Sequence, residues 1–131
     1  MRMLSITLLY AGILSLMLVA ISVRVSLMRR KYQVAYGDGG HSELQRASRV
    51  QGNFIEYAPL ALMLIFLLER TGVPSWEIHL LGMIFLVARI AHAISLYGDI
   101  FALRGVGMIG TWGVLVVGGV LALALSFGVI L

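Results

Sequence analysis

The chain contains no cysteine. Disulfides, cysteine nucleophiles and thiolate metal sites are thereby excluded, although the absence says little about redox compartment. Charge is scarce too: 12% of the 131 residues are Asp, Glu, Lys or Arg, against about 25% in an ordinary soluble domain. Apolar residues make up 60%, where about 45–50% is usual, and the mean hydropathy is +0.99. Such a composition points to one polytopic membrane domain with little mass outside the bilayer. The net charge of +4 would suggest a nucleic-acid partner in a soluble protein. Here the basic residues gather at Arg24, Arg29, Arg30, Lys31, Arg46 and Arg49, so topology is the better reading and no nucleic acid is expected.

A membrane-spanning helix needs about 20 mostly apolar residues. Leu4 to Val23 satisfies this, as does Ile78 to Tyr97 despite Arg89 and His92, and Val106 to Leu131 carries no charge at all. Pro59 to Leu68 is long enough only if its helix begins near Leu44. The expected architecture is therefore an all-α four-helix bundle integral to the membrane, with helices near 3–28, 43–70, 75–97 and 104–130. Arg70-Thr71-Gly72-Val73-Pro74-Ser75 reads as a tight turn, and Tyr97-Gly98-Asp99 starts a second. The first segment has some features of a signal peptide, with Arg2 ahead of it and Ala20-Ile21-Ser22 as a cleavage site. Its apolar run exceeds the usual h-region, so a retained helix is expected. The positive-inside rule puts the first loop and the short loop near Arg104 on the cytoplasmic side, with both termini on the opposite side.

The second helix opens with polar residues. Arg46, Arg49, Asn53, Glu56 and Tyr57 fall within roughly a 100° arc at about 100° per residue. Each charge at membrane depth costs roughly 2.5–3.5 kcal/mol on insertion scales, so such groups face a bundle interior or an aqueous cavity. Glu56 lies about 15 Å deeper than Arg46 at about 1.5 Å rise per residue. Two readings are open at this point. In one, Arg49 and Glu56 neutralise each other across the bundle, with Arg46 at the headgroups. In the other, the surplus positive charge is a site for an anionic ligand, because arginine's planar fork holds a carboxylate in a bidentate way.

The stripe also matches a family pattern. Arg49-x-x-x-Asn53-x-x-Glu56-Tyr57-x-Pro59 resembles the second-helix signature of the MAPEG family, the membrane-associated proteins in eicosanoid and glutathione metabolism. Leu86-Val87-Ala88-Arg89-Ile90-Ala91-His92 and Arg104 extend the likeness, and Tyr36 to Gln45 looks like the small bacterial inner-membrane branch. The resemblance implies a homotrimer in the bacterial inner membrane, binding glutathione as co-substrate in clefts between subunits. Arg49 would pair a carboxylate of the tripeptide and Glu56 its ammonium, while Asn53 and Tyr57 would supply directional hydrogen bonds. Arg46 belongs to the same face. Arg104 matches the arginine that stabilises the thiolate in catalytic members; a nearby cation raises the reactive fraction of a thiol. Arg89 matches a family position able to meet Glu56 or a ligand carboxylate. The implied activity is a glutathione transferase or peroxidase acting on hydrophobic electrophiles that arrive through the lipid. The alternative is a non-catalytic lipid- or partner-binding scaffold whose intramembrane charges hold the trimer together. Two departures bear on the substrate pocket: His92 stands where several lipid-processing members have an aromatic residue, and Tyr97 is shifted from their tyrosine.

Other features are weaker signals. His92, three residues after Arg89, reads more readily as a hydrogen-bonded bundle residue than as a base, and no partner at metal-ligand spacing accompanies it. His41 and His79 read as loop or interface residues. Gly37-Asp38-Gly39-Gly40 lacks the strand, lysine and Ser/Thr of a P-loop and reads as a turn, or less readily a lid. Gly107, Gly110, Gly113, Gly118, Ala122 and Ser126 allow close helix approach, either inside one subunit or at a trimer contact. Trp76 and Trp112 are expected at the membrane interface or lining a cleft. A transporter is disfavoured: the outer helices carry no interior ionisable residues to continue a path, and no inverted repeat is visible.

Overall fold

The computed structural model describes residues 5–129 and contains four helices: α1 (Ser5–Tyr32), α2 (Ser42–Arg70), α3 (Ser75–Tyr97) and α4 (Phe101–Ser126). All four are long and apolar enough to cross a membrane. α1 runs four residues past its expected end, with Arg29, Arg30 and Lys31 in its last turn. Cations there are favoured by the exposed carbonyls of a helix C-terminus. α4 starts three residues before its expected position. It stops at Ser126 because Gly128 adopts φ +67° and turns the chain away. The expected ends at residues 3 and 130 lie outside the described residues.

α2 and α3 form the centre of the bundle: each packs on all three other helices, whereas α1 and α4 do not meet. Its buried line, Leu44, Ala47, Val50, Phe54, Ala58, Ala61, Ile65 and Leu68, follows the helical period and runs the length of the core. α4 buries only Gly107, Thr111, Val114 and Gly118. Large side chains such as Val106, Ile109, Val116, Val120 and Leu123 point outward from it. An outward apolar surface of this kind is suited to lipid and would be untenable in water.

The small residues of α4 pack inside the subunit for the most part. A Cβ on Gly110 would come within 2.9 Å of the Ala88 Cβ, and one on Gly118 within 2.7 Å of Leu64. Gly113 faces open space. Gly82 on α3 plays the same part for α1, since the Tyr10 ring lies directly over it. Tyr10 then donates its hydroxyl to the His79 carbonyl at 3.0 Å.

Glu69, near the end of α2, reaches the start of α1. Its carboxylate accepts from the backbone N–H of Ile6 at 3.3 Å and of Thr7 at 3.0 Å, and from the Thr7 hydroxyl. The first N–H groups of a helix have no partner within it, and an anion there also meets the positive end of its dipole. Glu69→Ala is therefore expected to destabilise the protein by about 1–2 kcal/mol, the usual worth of a lost N-terminal cap. Faster amide exchange confined to the first turns of α1 would check this. Uniform exchange across the bundle would contradict it.

The glycine-containing loop is a tied turn, with Gly37, Gly39 and Gly40 at positive φ. Asp38 accepts from the Gly40 N–H at 2.9 Å, and Arg29 donates to the carbonyls of Ala35 and Gly37 at 3.3 and 2.9 Å. His41 leads into α2 stacked on Tyr32, 4.0 Å between ring centroids.

Candidate functional site

A cleft of about 270 Å³ opens between α2, α3 and α4. It is lined by Arg49, Asn53, Glu56 and Tyr57, by His92 and Leu96, and by Arg104 and Met108. Three helices thus supply it, each for a simple reason. α2 contributes one face of successive turns, α3 contributes two residues one turn apart, and α4 contributes its first turns, where Gly107 lets it approach α3. Arg49, Glu56 and Arg104 are exposed on the single chain; Asn53 and Tyr57 are half-buried, and His92 is buried.

Arg89 stands behind this cleft and does not line it. Its guanidinium, 2% exposed, donates to the Asn53 side-chain carbonyl at 2.5 Å, to the Thr111 hydroxyl, and to the Gly107 carbonyl at 3.5 Å. Thr111 in turn donates its hydroxyl to the Gly107 carbonyl at 2.8 Å. The rings of Tyr57 and Phe85 lie 5.6 Å from the guanidinium carbon, close enough for cation–π attraction. The expected contact of Arg89 with Glu56 is absent within 4.0 Å in the chain, where a different arrangement stands. The terminal nitrogens of Arg89 donate to neutral oxygens, its buried Nε has no partner, and the side chain orients Asn53. With its carbonyl held by Arg89, Asn53 keeps its NH₂ group toward Met108, whose sulfur is 3.7 Å away, so the amide donors face the cleft side.

Arg46 also departs from the expected grouping. It shares the face of the stripe, yet its guanidinium turns to Asp99 at 3.9 Å and lines a separate small recess with Arg24, Met28, Glu43 and Tyr97. It lies one turn closer to the loop, where the α3–α4 turn supplies a carboxylate that the deeper positions lack.

The ion pairs of the chain bear on the two readings left open above. Among the described residues, side-chain ion pairs within 4.0 Å are Lys31–Glu43 and Arg46–Asp99, both at the loop end of the bundle. Arg49 and Glu56 therefore do not neutralise each other at contact distance within one chain. Arg49 and Arg104 share the cleft with a single carboxylate, Glu56, and Arg89 lies behind it, so cleft and backing carry surplus positive charge. Tyr57 accepts a hydrogen bond from the Trp112 indole at 3.3 Å, which fixes the phenol at the rim. No group of three or more His, Cys, Asp or Glu side chains able to hold a metal occurs among the described residues.

Thr111, Leu96 and Met108 were missed from sequence. A usable signal existed for Thr111. α3 and α4 are antiparallel and joined by a three-residue turn, so positions equidistant from that turn face each other. Arg89 then faces Thr111 as His92 and Ala88 face Gly107 and Gly110. Thr111 is also the one hydroxyl in the first turns of α4.

A four-helix membrane-spanning bundle whose second helix carries this charged stripe defines a class. The sequence model of the MAPEG family matches residues 7–124, and the chain belongs to that family. It is similar to the inner membrane protein YecN of Escherichia coli K12, at 41% identity over 104 residues and 79% of each chain. It is equally similar to the YecN of Escherichia coli O6:H1. No solved structure matches.

Proposed function

We propose that the cleft binds glutathione and presents its thiolate to hydrophobic electrophiles dissolved in the membrane, as a glutathione transferase or peroxidase. The observation that carries this reading is the surplus of guanidinium over carboxylate around one open cleft. A tripeptide with two carboxylates, one ammonium and one thiol complements that charge pattern. Arg49 takes a carboxylate through its fork, Glu56 takes the γ-glutamyl ammonium, and Asn53 and Tyr57 hold the peptide between them. Arg104, at the start of α4, is the cation for the thiolate. In a transferase step the sulfur donates its electron pair to the electrophilic carbon, a C–S bond forms and the leaving group departs with its bonding electrons. The protein supplies orientation and charge stabilisation.

The cleft in one chain is smaller than the roughly 300–1,000 Å³ typical of ligand sites, and Arg49, Glu56 and Arg104 are exposed along its flank. A neighbouring copy closing that flank fits the homotrimer of the family. The inner-membrane relative supports the same membrane for this protein, and the basic first loop beside the cleft supports a cytoplasmic opening. The same exposed charges favour one second reading, a non-catalytic scaffold in which they pair across the trimer.

Calorimetric titration with glutathione in nanodiscs, together with thiolate ultraviolet absorbance, separates the two. Arg49→Ala is expected to weaken binding about tenfold or more, since a lost charge-assisted hydrogen bond costs roughly 1.5–3 kcal/mol. Arg104→Ala is expected to keep binding and lose the thiolate signal. No heat at millimolar glutathione, with Arg49→Ala dissociating the oligomer, would establish the scaffold instead.

A further inference from the structure

On the other side of α3 lies a second cavity of about 600 Å³, a groove between α1 and α3. The two sites diverge within single helical turns: His92 and Leu96 face the thiol cleft, while Ala93 and Tyr97 line the groove. α1 and α3 meet where Tyr10 lies over Gly82. Nearer the basic loop the groove opens between them, with the small side chains of Ala20 and Ala93 in its walls. Met17, Ile21, Val23 and Leu27 make the rest of the lining apolar, and Arg24 and Lys31 are its charged members.

We propose that this groove is a binding site for one anionic phospholipid, its acyl chain along the apolar walls and its phosphate on Arg24 and Lys31. Three observations carry the assignment. The first is depth. A hydrocarbon core of about 30 Å takes about 20 residues of helix, so a core entered near Ile6 ends near Val25. Arg24 thus sits at its edge, where lipid phosphates lie, with Met17 to Ile21 inside it. The second is charge. No carboxylate lies within 4.0 Å of Arg24 among the described residues; its guanidinium rests on the Tyr97 ring, 3.9 Å from the centroid. Lys31 reaches Glu43 only at 3.9 Å with both side chains more than half exposed. The third is an unmet donor. The Tyr97 hydroxyl is buried without a hydrogen-bond partner, and Tyr97 lines both the groove and the polar recess that Arg24 shares with Arg46. An apolar slot ending in cations and a free hydroxyl complements a phosphodiester amphiphile.

Native mass spectrometry of the full chain in mild detergent tests this, titrating phosphatidylglycerol against phosphatidylethanolamine with the same acyl chains. The wild type is expected to retain phosphatidylglycerol preferentially. Arg24→Gln is expected to cut that preference about fivefold, as one cation near a lipid surface is worth, with a further loss in Arg24→Gln/Lys31→Gln. Ala20→Trp, on an exposed wall position, is expected to reduce adducts of both lipids by filling the slot. Arg30→Gln, an equal change of charge outside the groove, is expected to leave the preference intact. Equal losses in Arg30→Gln and Arg24→Gln would overturn the proposal in favour of general surface charge. Unchanged adducts in Ala20→Trp would overturn it as well, as would a shift in oligomer mass without any change in lipid. None of these readouts depends on glutathione, so this proposal and the thiol site stand or fall separately.

Discussion

Gly107→Val is expected to be the most damaging single substitution in this chain, costing about 3 kcal/mol or more in reversible unfolding in detergent. Overpacking usually costs about 1–3 kcal/mol, and more when the neighbours cannot yield. A Cβ at Gly107 would stand 2.8 Å from the His92 backbone nitrogen, 2.8 Å from its Cβ and 2.9 Å from the Ala88 carbonyl oxygen. Two of these three are backbone atoms of a packed helix, so α4 would have to move off α3 as a whole. That movement would pull Arg104 and Met108 from the cleft and Thr111 from Arg89, and so the damage reaches the site as well as the stability. Gly113→Ala is the control, because nothing lies within 4 Å of it and alanine is the better helix former by about 1 kcal/mol. Equal losses at both positions would mean that the α3–α4 approach does not set the stability. A loss at Gly113 with a change of oligomeric state would mean that this face packs on another copy.

Arg89→Ala is expected to lower stability by roughly 2–5 kcal/mol. Each hydrogen bond donated by a charged group is worth roughly 1.5–3 kcal/mol, and Asn53 and Thr111 would both lose theirs. A further loss comes from the space left by a large buried side chain. Against this stands the relief of no longer holding a charge within the membrane, roughly 2.5–3.5 kcal/mol. The losses outweigh the relief, but not by much, and the comparison of variants is therefore sharper than the single value. Arg89→Met keeps most of the volume and removes the charge, so it is expected to recover most of the stability while still weakening glutathione binding. The binding loss follows because Asn53 is no longer held and the backing of the cleft has lost its cation. If Arg89→Met binds glutathione like the wild type, Arg89 serves packing alone and Asn53 is positioned by something else.

The residues of the cleft were largely legible before the fold was known, and the reason is periodicity. Asn53, Glu56 and Tyr57 are polar in a segment that must be helical and within a membrane, so Arg49 and these three had to share a face and a depth. Arg104 came from the family resemblance; His92, read mainly as a bundle residue and a departure from the family pattern, lines the same cleft. Arg46 shows the limit of the same argument. It has the right angle on α2, but its partner Asp99 sits on a turn 53 positions along the chain, and helical periodicity carries no information about that. Thr111, Glu69 and Tyr97 are alike in this respect: each acts on a helix other than its own.

By itself, the sequence determined that the protein is a set of four membrane-spanning helices, which of their faces are polar, and where the chain turns. Those outcomes depend on local quantities, namely hydrophobic length, helical period and the backbone preferences of glycine and proline. The tertiary structure alone decided that Arg89 is enclosed by neutral oxygens rather than a carboxylate, that Arg46 leaves the stripe, that Glu69 caps α1, and that α1 and α3 enclose a groove. Each of these depends on the separation between helices. That separation is set by a few small residues, Gly82, Gly107, Gly110 and Gly118 against the chains that lie over them, and close packing turns one missing side chain into a contact or a cavity.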